Sequence, residues 1–408
     1  MSKFTKHFCM RSDDVIEYIR EKMPDFFAEK ELVCNEIGDG NINYVFRVKE
    51  KDGDRSLIVK HADVCFRNDT KQISVDRNRI EYEILQIQGS LCKDMVPQIY
   101  FYDPVMCCMV MEDIDPHKNL RYELIDHKTF STFPQDITDF MVSTLIGTSD
   151  LVLEPEKKKE LDKEFINPEM CEITERLVLE EPYKNKNGSN KITKGNEDFV
   201  EKQLYSDEAL HLEVAKLKYT FQTKSQSLLH GDLHSGSIFV KEGSTKVLDP
   251  EFAFYGPAGY DVGNVIAHMI FAWLNAEVTM ADKTEKRTYQ SWIESSVTTI
   301  IGSFQEKALA YLKEKCHDVV FASEPFYKFY IQNIMVDTAG YCGLELIRRI
   351  VGSAKVKDIT SLLSEEGRAM IERLCILYAK HLIMNRTSIK TDDYISVLKE
   401  IYDKEEWK

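Results

Sequence analysis

Two segments of the sequence carry its densest chemistry. They are Leu228-Leu229-His230-Gly231-Asp232-Leu233-His234-Ser235-Gly236-Ser237-Ile238-Phe239-Val240 and Lys246-Val247-Leu248-Asp249-Pro250-Glu251. Each reads as an apolar strand that delivers carboxylates to its end. Two buried strands in one sheet would bring Asp232 and Asp249 near each other. Phosphoryl transfer from a nucleotide uses such a set: one carboxylate orients the attacking hydroxyl and takes its proton, while others hold Mg²⁺ on the phosphates. Asp232 is the candidate base. Asp249 and Glu251 are candidate Mg²⁺ ligands, joined by Ser237, the polar residue five positions after the base. A hydrogen-bonded turn is the plainer reading of Asp-Pro-Glu alone, because Asp-Pro is a common turn pair.

A second signal is Glu36-Ile37-Gly38-Asp39-Gly40-Asn41-Ile42-Asn43. Glycines between two strand-like runs let backbone amides approach phosphates with no Cβ in the way. A plain hairpin would look the same, so context matters. Lys60 ends the third strand-like run, and Glu81 lies on the next helix. A strand lysine held by a helix glutamate is how protein kinases grip the α- and β-phosphates. Glu83, two residues on, competes with Glu81 for that place. Gly38, Gly40, Asn41, Lys60 and Glu81 are therefore nucleotide-side candidates. Met111, Glu112 and Asp113 follow as a hinge whose main chain would meet adenine. Farther on, Arg348 and Arg349 lie in a helical stretch with Leu344, Ile347 and Val351 on its apolar side. Adjacent helical arginines point ~100° apart, so both need not serve one ligand. A solvated pair is one reading, and neutralisation of a transferring phosphoryl group is the other. His211 and His268 read as structural.

The elements that must position these residues fall into two parts. Residues 1–113 form a strand-rich lobe of order β–β–β–α–β–β. Its strands are Leu32–Ile37, Asn43–Val48, Ser56–Lys60, Gln98–Tyr102 and Met106–Met111, with a helix over Asp76–Gly89. Residues 114–408 form a larger, mainly helical lobe, with a buried helix over Val265–Ala276. Tyr183–Asn196, rich in Lys, Asn and Gly, reads as a mobile surface loop.

Composition bounds the partners. The chain has 408 residues, with 53 Lys+Arg against 68 Asp+Glu, a net charge of −15. That excess of acid argues against nucleic acid or an anionic membrane, both of which need a basic face. No apolar run reaches the ~18 residues of a membrane span. The N-terminus lacks the apolar core of a signal peptide, which points to the cytoplasm. Ten cysteines without a Cys-x-x-Cys pair read as buried, reduced thiols.

At Gly38–Asn41, His230–Ile238 and Asp249–Pro257 the sequence resembles the 5-methylthioribose kinase family, within the aminoglycoside-phosphotransferase-like branch of the protein-kinase fold. Phe165–Arg176 and Cys342–Arg349 extend the likeness, which runs in order over most of residues 32–359. Asp-Pro-Glu in place of Asp-Phe-Gly, and Ser237 in place of Asn, separate this family from protein kinases. The resemblance implies a bilobal α+β fold, with a small antiparallel sheet and one helix in the N-terminal lobe. It implies phosphorylation of the 1-hydroxyl of 5-methylthioribose by ATP and Mg²⁺, in methionine salvage. Asp232 would be the base, Asp249 and Glu251 the metal ligands, and Lys60 a phosphate ligand. Arg348 and Arg349 would join Asp232 and His234 on the substrate side, and the enzyme would be a homodimer. Where the family commonly carries Gly-Glu-Ser-Trp-Pro, this chain has Cys65-Phe66-Arg67-Asn68-Asp69-Thr70-Lys71-Gln72. A relative acting on an aminoglycoside, choline or homoserine would more usually show Asn five after the base and Asp-x-Asp later. A pseudokinase scaffold would lack one of Lys60, Asp232 and Asp249, and all three stand.

Overall fold

Three strands, Leu32–Glu36 (β1), Asn43–Glu50 (β2) and Ser56–Ala62 (β3), follow one another early in the computed structural model, which describes residues 2–37, 43–63 and 74–408. Ile99–Asp103 (β4) and Cys108–Glu112 (β5) complete an antiparallel sheet of order β1-β2-β3-β5-β4. The strand β3 is central, so it is buried on both faces. Leu57 and Val59 enter an apolar cluster with Phe46 and Val110. The period of two turns Ile58 and Lys60 to the opposite face.

The helix Asp76–Leu91 buries Arg77, Ile80, Glu81, Ile84, Leu85 and Gln88, one stripe at helical spacing. Glu81 is thus carried inward on the same face as the apolar residues. Sequence reading missed the preceding helix Ser12–Lys22, whose Val15, Tyr18 and Ile19 close the cluster over Phe46 and Val48.

The chain divides into two compact units, Met1–Pro116 with Lys246–Phe252, and His117–Thr245 with Ala253–Lys408. The short segment carrying Asp249 and Glu251 belongs to the first. In the second, Gly259–Thr279 is buried continuously from Gly259 to Ala276, as its apolar run requires. It lies hard against Glu324–Val351: a Cβ on Gly263 would stand 2.7 Å from Cys342 N, and one on Gly259 2.6 Å from Thr338 N. Glycine at both positions permits this approach.

Three expectations need correction. The strands preceding Asp232 and Asp249 are not in one sheet. Ser227–Leu228 pairs with Tyr255–Gly256, whereas Ser244–Val247 joins Lys118–Asn119 and Ile238–Lys241. The left-handed turn at Gly231 (φ 81°) and the hairpin at Gly243 (φ 75°) separate them. Residues 183–196, read as mobile, are pinned by polar side chains in place of apolar packing. Asn190 Nδ2 donates to Glu181 O at 2.8 Å, Thr193 Oγ1 to Glu372 Oε1 at 2.8 Å, and Asn196 Nδ2 to Ala369 O at 3.0 Å. The described cysteines are all free, but only Cys92, Cys108, Cys342 and Cys375 are buried, and Cys9 is exposed. Among the described residues no helix is long and apolar enough to cross a membrane.

Candidate active site

In the first unit, Lys60 is the focus. Its Nζ lies 2.7 Å from Glu81 Oε1 and 2.7 Å from Asp249 Oδ1, while the side chain is buried. Burial opposes its charge, but Asp249, Glu81 and Glu251 outweigh that and raise its pKa. The competitor Glu83 is instead engaged by Arg79 at 2.5 Å, which leaves Lys60 to Glu81.

Asn43 Nδ2 donates to Glu251 Oε2 at 3.0 Å, and Arg77 NH2 donates to Asn43 Oδ1 at 3.0 Å. Arg77 Nε is 3.6 Å from the same Glu251 oxygen, so one buried guanidinium orients both partners. Asp249 adopts φ 62°, a left-handed conformation that Asp tolerates better than most residues. Glu112 and Asp113 are not the solvated acids expected of a strand end. Glu112 Oε2 takes Lys246 Nζ at 3.0 Å, and Asp113 Oδ1 accepts Arg47 NH2 at 2.9 Å within an ion pair. Gly38, Gly40, Asn41 and the segment 65–72 lie outside the described residues.

In the second unit, the loop 230–237 is fixed from below. Asp261, in the first turn of Gly259–Thr279, accepts His230 N at 2.7 Å and Gly231 N at 3.1 Å. Burial raises this carboxyl to about 7 against those two bonds. Ser237 Oγ donates to Asp232 O at 3.0 Å and so closes the loop.

Asp232 stands beside two cations and an imidazole N–H. Arg348 NH2 is 3.6 Å and Arg349 NH2 3.7 Å from its Oδ1, and His234 Nε2 is 3.2 Å from its Oδ2. Gly236 N at 3.0 Å and Arg121 NH2 at 3.3 Å both donate to His234 Nδ1, which assigns the imidazole proton to Nε2, facing Asp232. Burial works to raise Asp232, but His234, Arg349 and Arg348 together hold it well below the usual carboxylate range.

The arginines are not the solvated pair that one reading allows: each is 8% exposed. Glu345, one turn back, carries them both. Its Oε2 pairs with Arg348 Nε, while its Oε1 takes Arg348 NH2 at 3.2 Å and Arg349 Nε at 2.7 Å. His268, read as structural, completes the frame: Ser235 Oγ lies 2.9 Å from its Nδ1, and its Nε2 lies 3.1 Å from Glu345 Oε1. Burial lowers His268 well below its ordinary value, so a neutral ring donates to Glu345 and accepts from Ser235. The result is a continuous polar chain from the loop 230–237 to the arginine helix.

Comparison with known proteins decides the family. The Phosphotransferase enzyme family pattern matches residues 168–292. Methylthioribose kinase from Pectobacterium atrosepticum is 33% identical over 375 residues, 91% of this chain and 93% of that one. The Bacillus cereus protein of that name is 34% identical over 386 residues, 92% of this chain and 93% of its own. That from Yersinia enterocolitica is 32% identical over 401 residues, covering 97% and 99%. The chain belongs to the methylthioribose kinase family.

Membership in the methylthioribose kinase family makes this a phosphotransferase of the bilobal, kinase-like α+β class. The structure brings Lys60, Glu81, Asp249 and Glu251 together in one unit, and Asp232, His234, Ser237, Arg348 and Arg349 in the other. Sequence reasoning missed Glu345, Asp261, Arg121 and Arg77. Glu345 carried a usable signal, since it precedes both arginines by three and four positions and faces each on a helix. The other three carried none.

Proposed function

We propose that the chain phosphorylates the 1-hydroxyl of 5-methylthioribose with ATP and Mg²⁺, a step of methionine salvage. The carrying observation is the state of Asp232: a carboxylate kept ionised beside two buried arginines. In this reading Asp232 accepts the hydroxyl proton as the acceptor oxygen bonds to the γ-phosphorus. The bond from that phosphorus to the β–γ bridging oxygen breaks, and ADP leaves with the electron pair. Arg348 and Arg349 meet the charge on the transferring group, and His234 orients the base.

Lys60, held by Glu81, would grip the α- and β-phosphates, and Gly38, Gly40 and Asn41, outside the described residues, are the candidates to join it there. The main chain of Met111, Glu112 and Asp113 takes adenine. Asp249 and Glu251 offer hard carboxylate oxygens, the donor set Mg²⁺ prefers, and Asp249 is 46% exposed beside the buried Lys60. They would hold the metal, with Ser237 as the third candidate. Bound Mg²⁺ would neutralise phosphate charge.

On the same reading the enzyme is a cytoplasmic homodimer with neither a nucleic-acid nor a membrane partner; its charge of −15 supports the last two points. The deciding experiment is a coupled ADP-release assay across methylthioribose, ribose, choline and aminoglycosides. A clear preference for methylthioribose is expected. Equal turnover on all four would remove the substrate assignment and leave the family intact.

A further inference from the structure

The polar chain around Asp232 contains a third arginine that the proposed mechanism does not use. Arg121 lies in the first turn of the helix Leu120–Ile125, and its backbone is tied directly to the loop 230–237. Arg121 N donates to Ser235 O at 3.1 Å, and the N-cap Asn119 donates through Nδ2 to Gly236 O at 2.6 Å. The guanidinium packs close to Gly236, where a Cβ would come within 2.7 Å of His234 Cε1 and 2.8 Å of Arg121 NH2. Glycine leaves room there for both side chains.

Its charge is poorly spent within the protein. Among the described residues its one side-chain hydrogen bond is the 3.3 Å contact to His234 Nδ1, a neutral acceptor. Among the described residues Arg121 Nε has no hydrogen-bond partner, and the nearest acid, Asp358, stands 3.9 Å away. Arg348 and Arg349, by contrast, are each anchored to Glu345 through Nε and keep their NH2 groups toward Asp232 Oδ1. Arg121 reaches the other carboxylate oxygen, Oδ2, through His234. Two guanidinium groups therefore face Asp232 directly, and a third stands behind His234 on the other side of the carboxylate. Arg121 side-chain exposure of 20% leaves part of its fork open to a ligand. Burial and the neighbouring Arg349 both work against its charge, a cost that an incoming anion would remove.

We propose that Arg121 is a third anion-binding residue of this site, which holds, with Arg348 and Arg349, the phosphoryl group after it has reached the acceptor sugar. The ligand class is a sugar phosphate dianion, and the inference rests on the sugar-kinase reading above. A planar fork suits phosphate oxygens, and a dianion meets two or three guanidinium groups far better than a neutral sugar does. Arg121 therefore distinguishes product from substrate.

The test is inhibition of the full-length enzyme by its own sugar phosphate product, measured beside the KM for the unphosphorylated sugar. In Arg121→Gln the product inhibition constant should rise about tenfold or more, the effect of losing one charged hydrogen bond, while KM for the neutral sugar moves less than about twofold. Arg121→Lys, which keeps the charge and loses the fork, should fall between. An inhibition constant within twofold of wild type in both variants overturns the inference. So does a parallel rise in both constants, which is what a merely structural role would give. Should Arg121→Gln fail to fold, Arg121→Lys alone decides on the same ratio. Failure of the underlying reading looks different: wild type itself would then show no turnover of methylthioribose.

Discussion

Glu345 Oε1 accepts Arg349 Nε at 2.7 Å, one helical turn away and fully buried. The same carboxylate holds Arg348 and receives His268. Burial alone would raise its pKa, but Arg348 and Arg349 hold it well below the usual range. One anion thus cancels part of two cations and fixes the direction of both. Without it, two arginines and one carboxylate, Asp232, would be left to arrange themselves. With it, each guanidinium presents its NH2 edge to Asp232 at a distance just beyond a hydrogen bond, where a phosphoryl oxygen can compete.

Glu345→Gln should therefore damage both stability and chemistry. Breaking a buried ion pair from one side costs about 3–5 kcal/mol. Thermal denaturation should show a clear fall in midpoint. In variant protein that remains folded, kcat should fall more than acceptor KM rises, because the arginines meet charge mainly as it transfers. Wild-type kcat with this substitution would mean the arginines need no such anchor.

Asp232→Asn removes the proton acceptor and keeps the shape. Loss of a general base costs about 10²–10⁴-fold in rate. Steady-state kcat should fall by that order, and nucleotide affinity by calorimetry should stay within about threefold. Retained turnover would show that the hydroxyl proton goes elsewhere.

The contrast between Lys60 and Glu345 shows what was legible in the sequence. Lys60 was visible because a local rule, alternation along β3, sets its face, and a second local rule, helical spacing, sets that of Glu81. Asp232 and Asp249 were visible because glycine and proline punctuate the segments around them. What was illegible depends on tertiary approach. Arg121 and Gly236 are 115 residues apart, and no pattern within either segment announces the other. Arg348 and Arg349 are buried on a helix that packs against a distant one at Gly259 and Gly263, an approach no pattern near the arginines announces. Residues 183–196 misled for the related reason that their polarity is spent inside the protein, on Glu372 and Ala369, rather than in water.

Lys60→Met should abolish useful nucleotide binding and also destabilise, because Glu81 would remain buried without its cation. The double variant Lys60→Met with Glu81→Leu separates the two effects. Its midpoint should recover much of the loss, since an apolar pair replaces the buried ion pair, while ATP affinity stays low. Recovery of both would assign Lys60 a structural task only.

Asp261→Ala tests the foundation of the loop. It leaves His230 N and Gly231 N without their acceptor in a buried place, at about 1–3 kcal/mol for each stranded donor. Unfolding free energy from a urea titration should drop by about 2–6 kcal/mol, and catalysis should fall with it as Asp232 loses its register. A change below about 0.5 kcal/mol, the level of an ordinary surface substitution, would show that the loop holds itself.

Acid should unfold the protein through Asp232 and Glu345. Both carboxyls sit lower in the folded chain than in the unfolded one, and His234, Arg348 and Arg349 are the cause. Each therefore contributes stability that is complete above its unfolded pKa, ~3.9 for Asp and ~4.3 for Glu, and is lost as the pH falls toward the lower folded value. Below ~4 the unfolded chain binds these protons and the folded one resists them, so the unfolding free energy must decline with acidity. Denaturant titrations at steps from pH 6 to pH 3 should show this descent in wild type. In Glu345→Gln one of the two groups no longer titrates, and the slope below pH 4 should be shallower by up to one proton. An unchanged slope would mean that Glu345 is as easily protonated folded as unfolded, which a carboxylate between two arginines could not be.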